Sequence, residues 1–390
     1  MSEKPIRVMI VDDSPTVRRA LTNVFGKDRE IQVVDTAVDP YDAKEKIMTR
    51  DPEVLTLDLE MPRMDGLTFL KIIMRKRPMP VIILSTLTNS GSAMAMEALR
   101  SGAFDVFGKP ETAAELKEAA IQLCMKVKEA GWARRHKTWQ HRIETNKTAT
   151  PFRVQSSNKT RSRLSWSREP HLTEKHLILL GASTGGTEAL SRILRKLPPH
   201  MPPVLVSQHI PARFSLTFAQ RLDGECALTA KEAEDGEYAR QGCIYIAPGG
   251  YHLTAKFAGG RYRLSLNEED PVWHQRPAVD VMFESLIHAS GPHIVAGLLT
   301  GMGKDGAHGL LKLKEAGCRT FAEDEKTCVV YGMPRVAKEI GAPEKMIPIQ
   351  DMAQAVLSAL EESWGRCGRR ITQAPMARRT DEQAIQPTPS

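Results

Sequence analysis

The 390-residue chain is long enough for two domains of ordinary size, and its 41% hydrophobic content can supply a core to each. Six cysteines (Cys124, Cys226, Cys243, Cys318, Cys328, Cys367) stand far apart with no C-x-x-C pair, which argues against a zinc ribbon or a dense disulfide framework and fits reduced thiols in a cytoplasm. The net charge of +7 invites a nucleic-acid reading, but residues 126–176 alone hold thirteen Lys and Arg and four Glu, hence +9, so the remainder carries −2.

The N-terminus, MSEKPIRVMIVDD, has no apolar stretch of signal-peptide length, and no run approaches the ~20 apolar residues that span a bilayer. A soluble protein without membrane insertion is expected. From Ile6 short apolar runs alternate with amphipathic ones: Val8 to Val11, Ile31 to Val34, Val54 to Leu59, Val81 to Leu84 and Ala103 to Phe107 read as parallel strands with helices between them. That is a doubly wound α/β domain, whose ligands gather at the carboxyl ends of the strands. Asp12 and Asp13 close the first strand, Asp58 the third and Ser85 the fourth, and Lys109 follows the fifth. Three carboxylates at one rim repel unless a cation joins them, and such oxygen ligands suit Mg²⁺, which often bridges to phosphate. Helix capping is the alternative for Asp13-Ser14-Pro15, but it leaves Asp58 and Lys109 unexplained.

VDDSP, LDLEMPRMDG, Ser85 and the Lys109-Pro110 pair, in this order, resemble the receiver domain of two-component response regulators. The resemblance implies that Asp58 is the phospho-acceptor, that Asp12, Asp13 and Asp58 hold Mg²⁺ with the Glu60 carbonyl, and that Ser85 and Lys109 contact the phosphoryl group. It implies a histidine kinase as phosphodonor. The family often places an aromatic three residues before the lysine, where this chain has Val106, with Phe107 next.

The basic segment that follows is rich in Ser, Thr, Asn and Gln and loses periodicity after Trp139, as a solvated linker does. No recognition helix or aromatic-basic interleaving accompanies it, so no nucleic-acid partner is expected, although a DNA-binding regulator remains a rival reading. Beyond His176 a second α/β pattern begins. Leu177 to Leu180, Val204 to Val206, Ile244 to Ile246, Ile294 to Leu299 and Thr320 to Phe321 read as strands. Leu253 to Phe257 and Tyr262 to Leu266 read as a hairpin around Ala258-Gly259-Gly260-Arg261, and Arg213 to Leu222, Val279 to His288 and Ala307 to Ala316 as helices. HLILLGASTGGTEAL places Ser183 on a strand-to-helix bend bracketed by Gly181, Gly185 and Gly186. Backbone N–H groups at that helix start could hold an oxyanion, though a plain glycine-rich turn or a phosphate cradle fits the same letters. A serine needs a base and a carboxylate to orient it. His209 ends the next strand, 26 residues after Ser183, and Asp305 follows a third, so all three can face one cleft; capping or turn roles are the alternatives for each.

GASTGG, SQHIPARFS, APGGYHL, QRPAVDVMFESL, LLTGMGKDGA and EDEKTCVVYGMP resemble the catalytic domain of chemotaxis protein-glutamate methylesterases. The resemblance implies Ser183 as nucleophile, His209 as base, Asp305 as orienting carboxylate and the Met302 backbone N–H as oxyanion donor. It implies a cytoplasmic, phosphorylation-activated hydrolase that demethylates, and also deamidates, the cytoplasmic helices of chemoreceptors, with no cofactor for the esterase. A nucleotide-binding second domain is a further rival, set against by Gln208-His209 where an acid for a ribose is usual. The expected architecture is α/β: a flavodoxin-like receiver (residues 1–128) and a Rossmann-like hydrolase domain with a β-hairpin (174–365). Both are doubly wound parallel-sheet domains, joined by a flexible linker (129–173) and followed by a disordered tail (366–390).

Overall fold

The computed structural model describes residues 4–86, 88–109, 113–136, 175–289, 291 and 293–372. The first domain is a five-stranded parallel sheet of order β2-β1-β3-β4-β5, made of β1 (Ile6–Val11), β2 (Ile31–Ala37), β3 (Val54–Asp58), β4 (Val81–Ser85) and β5 (Asp105–Gly108). Helices α1 (Pro15–Phe25), α2 (Pro40–Arg50), α3 (Gly66–Lys76), α4 (Asn89–Arg100) and α5 (Ala113–Arg135) connect and cover the strands. The helix starts are written in short polar side chains. Asp39 accepts from the Tyr41 and Asp42 N–H groups and Asp65 from that of Thr68, with Pro15 and Pro40 at first helical positions that need no donor. Strands β1, β3 and β4 are buried on both faces, which is why they read as unbroken apolar runs rather than alternating ones. The strand order reverses beside β1, so the ends of β1 and β3 flank the crevice where such sheets hold ligands.

The second domain is a seven-stranded parallel sheet of order β14-β13-β12-β6-β7-β9-β8. Its strands are β6 (Leu177–Ala182), β7 (Val204–Gln208), β8 (Thr229–Glu232), β9 (Cys243–Ile246), β12 (Ile294–Leu298), β13 (Arg319–Glu323) and β14 (Lys345–Ile347). Helices α6 (Gly186–Leu194), α7 (Phe214–Glu225), α8 (Val279–Glu284), α9 (Ala307–Glu315), α10 (Met333–Glu339) and α11 (Ile349–Thr372) surround it. The expected hairpin is present as β10 (His252–Ala258) and β11 (Arg261–Asn267). Its two-residue turn has φ of 60° at Gly259 and 85° at Gly260, the left-handed pair that matches strand twist.

Several boundaries differ from the sequence reading. The helix expected over 279–288 breaks after Glu284 and resumes as a 3₁₀ turn, Ile287–Ala289. Helix α5 runs past residue 128 to Arg135 because Val127, Ala130 and Ala133 are buried at helical spacing and hold its last turns down. The linker therefore begins later than 129, and the tail later than 366, since α11 extends to Thr372. The remainder of both segments lies outside the described residues. Among the described residues no helix is long and apolar enough to cross a membrane.

Candidate active site

Strand β6 sits inside the second sheet, between β12 and β7, and its end is where the candidate nucleophile stands. Ala182 pairs in register with Gln208, so the next residues on each strand, Ser183 and His209, emerge side by side. The His209 N–H donates to the Ala182 carbonyl at 3.1 Å and the Ser183 N–H to the Thr300 carbonyl at 3.0 Å, fixing both backbones from the sheet. Glycine is demanded at Gly301, where an added Cβ would lie 2.6 Å from that of Ser183.

The imidazole and carboxylate meet as the sequence suggests. His209 Nε2 lies 2.6 Å from Asp305 Oδ2, and both residues are buried. Asp305 Oδ2 also accepts from the Val279 N–H at 2.7 Å, and Oδ1 from the Asp280 N–H at 2.8 Å. Three donors on one buried carboxylate fix its position. Because Nε2 is engaged by Asp305, Nδ1 is the nitrogen left for a reacting hydroxyl. Among the described residues the Ser183 hydroxyl makes no hydrogen bond to His209, a loosening common in unliganded catalytic sites.

Ser183, His209, Met302 and Asp305 line one cleft of about 380 Å³. Its far lip is Trp273-His274, both residues with positive φ (53° and 61°). Trp273 Nε1 donates to Asp280 Oδ2 at 3.0 Å, and the Lys304 ammonium lies 3.8 Å from the Trp273 ring centroid. Burial, reinforced by the charge of Asp305, pushes the Asp280 carboxyl above the usual range.

The other wall belongs to the first domain. Gln122, Met125, Lys126 and Glu129 of α5 line the cleft, and Gln122 Nε2 donates to the His274 carbonyl at 2.6 Å. Thr184, next to Ser183, places its hydroxyl 2.7 Å from Asp105 Oδ2 and 2.8 Å from Glu129 Oε2. Burial pushes Glu129 up to about 8, the Lys126 ammonium opposing and the Asp105 charge adding. Val106, at the position where receivers often carry an aromatic, is buried and lines a small crevice against Ser183, Gln208 and Phe214. Asp105, Glu129 and Thr184 escaped the sequence reading, which had no signal for a charged helix face covered by another domain.

At the rim of the first sheet, ligand oxygens of Asp12, Asp13 and Asp58 lie within 4.8 Å of one another. Lys109 Nζ sits 2.7 Å from Asp58 Oδ2 and 3.0 Å from Asp12 Oδ2. Burial pulls the Lys109 pKa down, but the hydrogen bonds and charges of Asp58 and Asp12 outweigh it and hold it above the ordinary lysine value. Burial likewise lifts Asp12, against the pull of Lys109. Clustered carboxylate oxygens, with one buried acid raised by desolvation, fit a small divalent cation such as Mg²⁺. Ser85 Oγ is 3.1 Å from the Gly91 carbonyl and 3.3 Å from that of Thr86, while Glu60 Oε1 accepts from Thr86 Oγ1 at 3.2 Å.

Residues 178–356 match the family model described as CheB methylesterase, and residues 8–121 the one described as response regulator receiver domain. The chain is 43% identical over 373 residues to protein-glutamate methylesterase/protein-glutamine glutaminase 2 of Cupriavidus pinatubonensis, covering 95% of this chain and 100% of that one. It is 43% identical to the protein-glutamate methylesterase/protein-glutamine glutaminase of Nitrosomonas europaea, over 92% of this chain and 97% of that one. Among solved structures, the CheB methylesterase catalytic domain of Thermotoga maritima is 39% identical, covering 48% of this chain and 98% of that chain, with a TM-score of 0.46.

Proposed function

The chain belongs to the protein-glutamate methylesterase/protein-glutamine glutaminase family, and from that premise we propose that it hydrolyses glutamate γ-methyl esters, and deamidates glutamines, on the cytoplasmic helices of chemoreceptors. Its class is that of a carboxylic ester hydrolase with a response-regulator receiver. The observation that carries the assignment of the site is the buried 2.6 Å contact of His209 with Asp305 at the strand end beside Ser183.

In this reading Ser183 Oγ attacks the γ-carbonyl carbon while its proton passes to His209 Nδ1. The carbonyl electron pair moves onto oxygen, and the Met302 N–H stabilises the anion. The carbon–methoxy bond then breaks, and methoxide takes the proton from His209 and leaves as methanol. Water attacks the acyl-enzyme, gives its proton to His209, and Ser183 recovers that proton as the glutamate carboxylate departs. With a glutamine substrate the leaving group is ammonia. Asp305 holds the ring orientation and stabilises the imidazolium.

The receiver side of the proposal is that a histidine kinase phosphorylates Asp58, with Asp12, Asp13 and Asp58 holding Mg²⁺, which neutralises the phosphoryl charge when bound. Lys109 and Ser85 contact the phosphoryl oxygens. Because α5 walls the cleft, phosphorylation activates by biasing a docked-to-open equilibrium of the two domains in the cytoplasm. The test is methanol release from methylated receptor by the purified chain, with Ser183→Ala as control; undiminished release by that variant overturns the site.

A further inference from the structure

Gln208 is buried at the end of β7 and belongs to none of the roles assigned so far. Its Nε2 donates to two main-chain carbonyls at once, that of Ser183 at 2.9 Å and that of His209 at 3.2 Å. One amide thus ties the backbone of the nucleophile residue to that of the base residue. Its Oε1 is buried without a hydrogen-bond partner among the described residues. An orphaned buried acceptor is an uncompensated cost, so the group is kept in place for its N–H donors. The fold also clears space for it: a Cβ on Gly186 would lie 2.1 Å from Oε1, which accounts for the last glycine of the GASTGG bend.

The Ser183 carbonyl accepts from Gln208 and, at 2.7 Å, from the Gly186 N–H. A trans peptide is planar with its C=O and N–H on opposite edges. Holding that carbonyl on the Gln208 side turns the N–H of Thr184, the other half of the same unit, to the opposite side, away from the crevice that Gln208 lines. Thr184 and Ser183 both line the main cleft, where Gln208 does not. Resting on the hydrolase reading above, we infer that Gln208 is a positioning residue: it sets the Ser183–Thr184 peptide so that the Thr184 N–H serves, with that of Met302, as an oxyanion donor. The residue after the nucleophile supplies such a donor at other strand-to-helix elbows, and the anion forms only after attack, so the contribution falls on kcat rather than on substrate binding.

The test uses the full chain and three readouts: kcat and KM for a γ-methyl glutamyl ester, affinity for a boronic acid analogue that forms a tetrahedral adduct on Ser183, and the pH profile. Gln208→Glu keeps the shape. When protonated the introduced carboxyl donates one hydrogen bond; when ionised it donates none and repels both carbonyls, and burial places its ionisation above the ordinary range. The expected result is a kcat lowered by about 10- to 100-fold with KM within about twofold, a boronate affinity lowered by the same factor, and a new ionisation above which activity is lost as pH rises. Gln208→Met, of similar volume and without donors, should show the same kcat and boronate losses without the new ionisation, so a folding defect in one variant does not decide the matter. Loss of thermal stability with kcat, boronate affinity and pH profile unchanged overturns the inference. Ser183→Ala separates it from the reading it rests on: activity surviving in Ser183→Ala overturns both, whereas activity lost there and retained in both Gln208 variants overturns the role of Gln208 alone.

Discussion

The Thr184 hydroxyl stands 2.8 Å from Glu129 Oε2, and the two residues come from different domains. The same hydroxyl is 2.7 Å from Asp105 Oδ2. A hydroxyl has one proton to donate, so both contacts are satisfied only when one carboxyl carries a proton and donates it to the threonine oxygen. Glu129, pushed up to about 8 by burial, is that carboxyl at neutral pH, while Asp105 is paired with Lys126.

Docking of the domains should therefore weaken as pH rises. In the docked form Glu129 titrates near 8, and once released to water it should return toward the ordinary ~4.3. Below that lower value the carboxyl is neutral in both forms and docking carries no penalty; as pH climbs through the docked value the full penalty appears, a few kcal/mol at ~1.4 kcal/mol per unit. The ratio of activity in the unphosphorylated full chain to that of a fragment lacking residues 1–170, in which any pH dependence common to both cancels, should rise between about pH 5 and 8 and then level. Glu129→Gln, which can donate without titrating, should flatten that ratio; a slope equal to wild type would rule the shared proton out.

Removing the receiver should uncover the cleft. The fragment lacking residues 1–170 is expected to exceed the unphosphorylated full chain in esterase activity, and a small phosphoryl donor should accelerate the full chain but not the fragment. The linker supplies an effective concentration on the order of millimolar, so modest contacts hold the docked state. A fragment no faster than the whole chain would mean that the receiver assists catalysis or delivers the enzyme instead of covering it.

Ser183→Ala and His209→Gln should fall to a common floor, about 10⁴-fold or more below wild type, because the residues act as a unit. Asp305→Asn should lose about 10³-fold or more in kcat and also some stability. Its amide can accept on one side only, while the Val279 and Asp280 N–H groups and His209 all converge there. Steady-state kinetics with circular dichroism on each variant checks both statements.

Asp58→Asn should take up no label from phosphorylated histidine kinase, and chelation of Mg²⁺ should stop labelling of the wild type. Lys109→Ala should leave two buried carboxylates, Asp12 and Asp58, without their shared cation. Its apo form should then depend more strongly on added divalent metal for thermal stability, read by melting with and without Mg²⁺.

Much of this was legible in the chain because parallel strands buried on both faces announce themselves as apolar runs, and because chemistry in such sheets sits where the runs end. Ser183, His209 and Asp58 each close or directly follow a strand. What stayed hidden depends on surfaces brought together from far apart. Glu129 is the first residue of the segment that reads as a solvated linker, and its burial involves a residue 55 positions away. Gln208 reads as one more strand residue until its amide is seen to reach two carbonyls. Strand β14 is three residues long, too short for a period to show.

Gln122, Lys126 and Glu129 follow one another along α5 at spacings of four and three residues, a single stripe about 10 Å long on one continuous rod. A rod of this kind has no joint between its cleft-facing residues, so it cannot lift Gln122 from the His274 lip while Glu129 stays on Thr184. On the docked-to-open reading proposed above, release of the cleft would be a single event for each molecule. A population receiving a weak signal would contain a few fully exposed enzymes among many closed ones, and the strength of the signal would be written in their number.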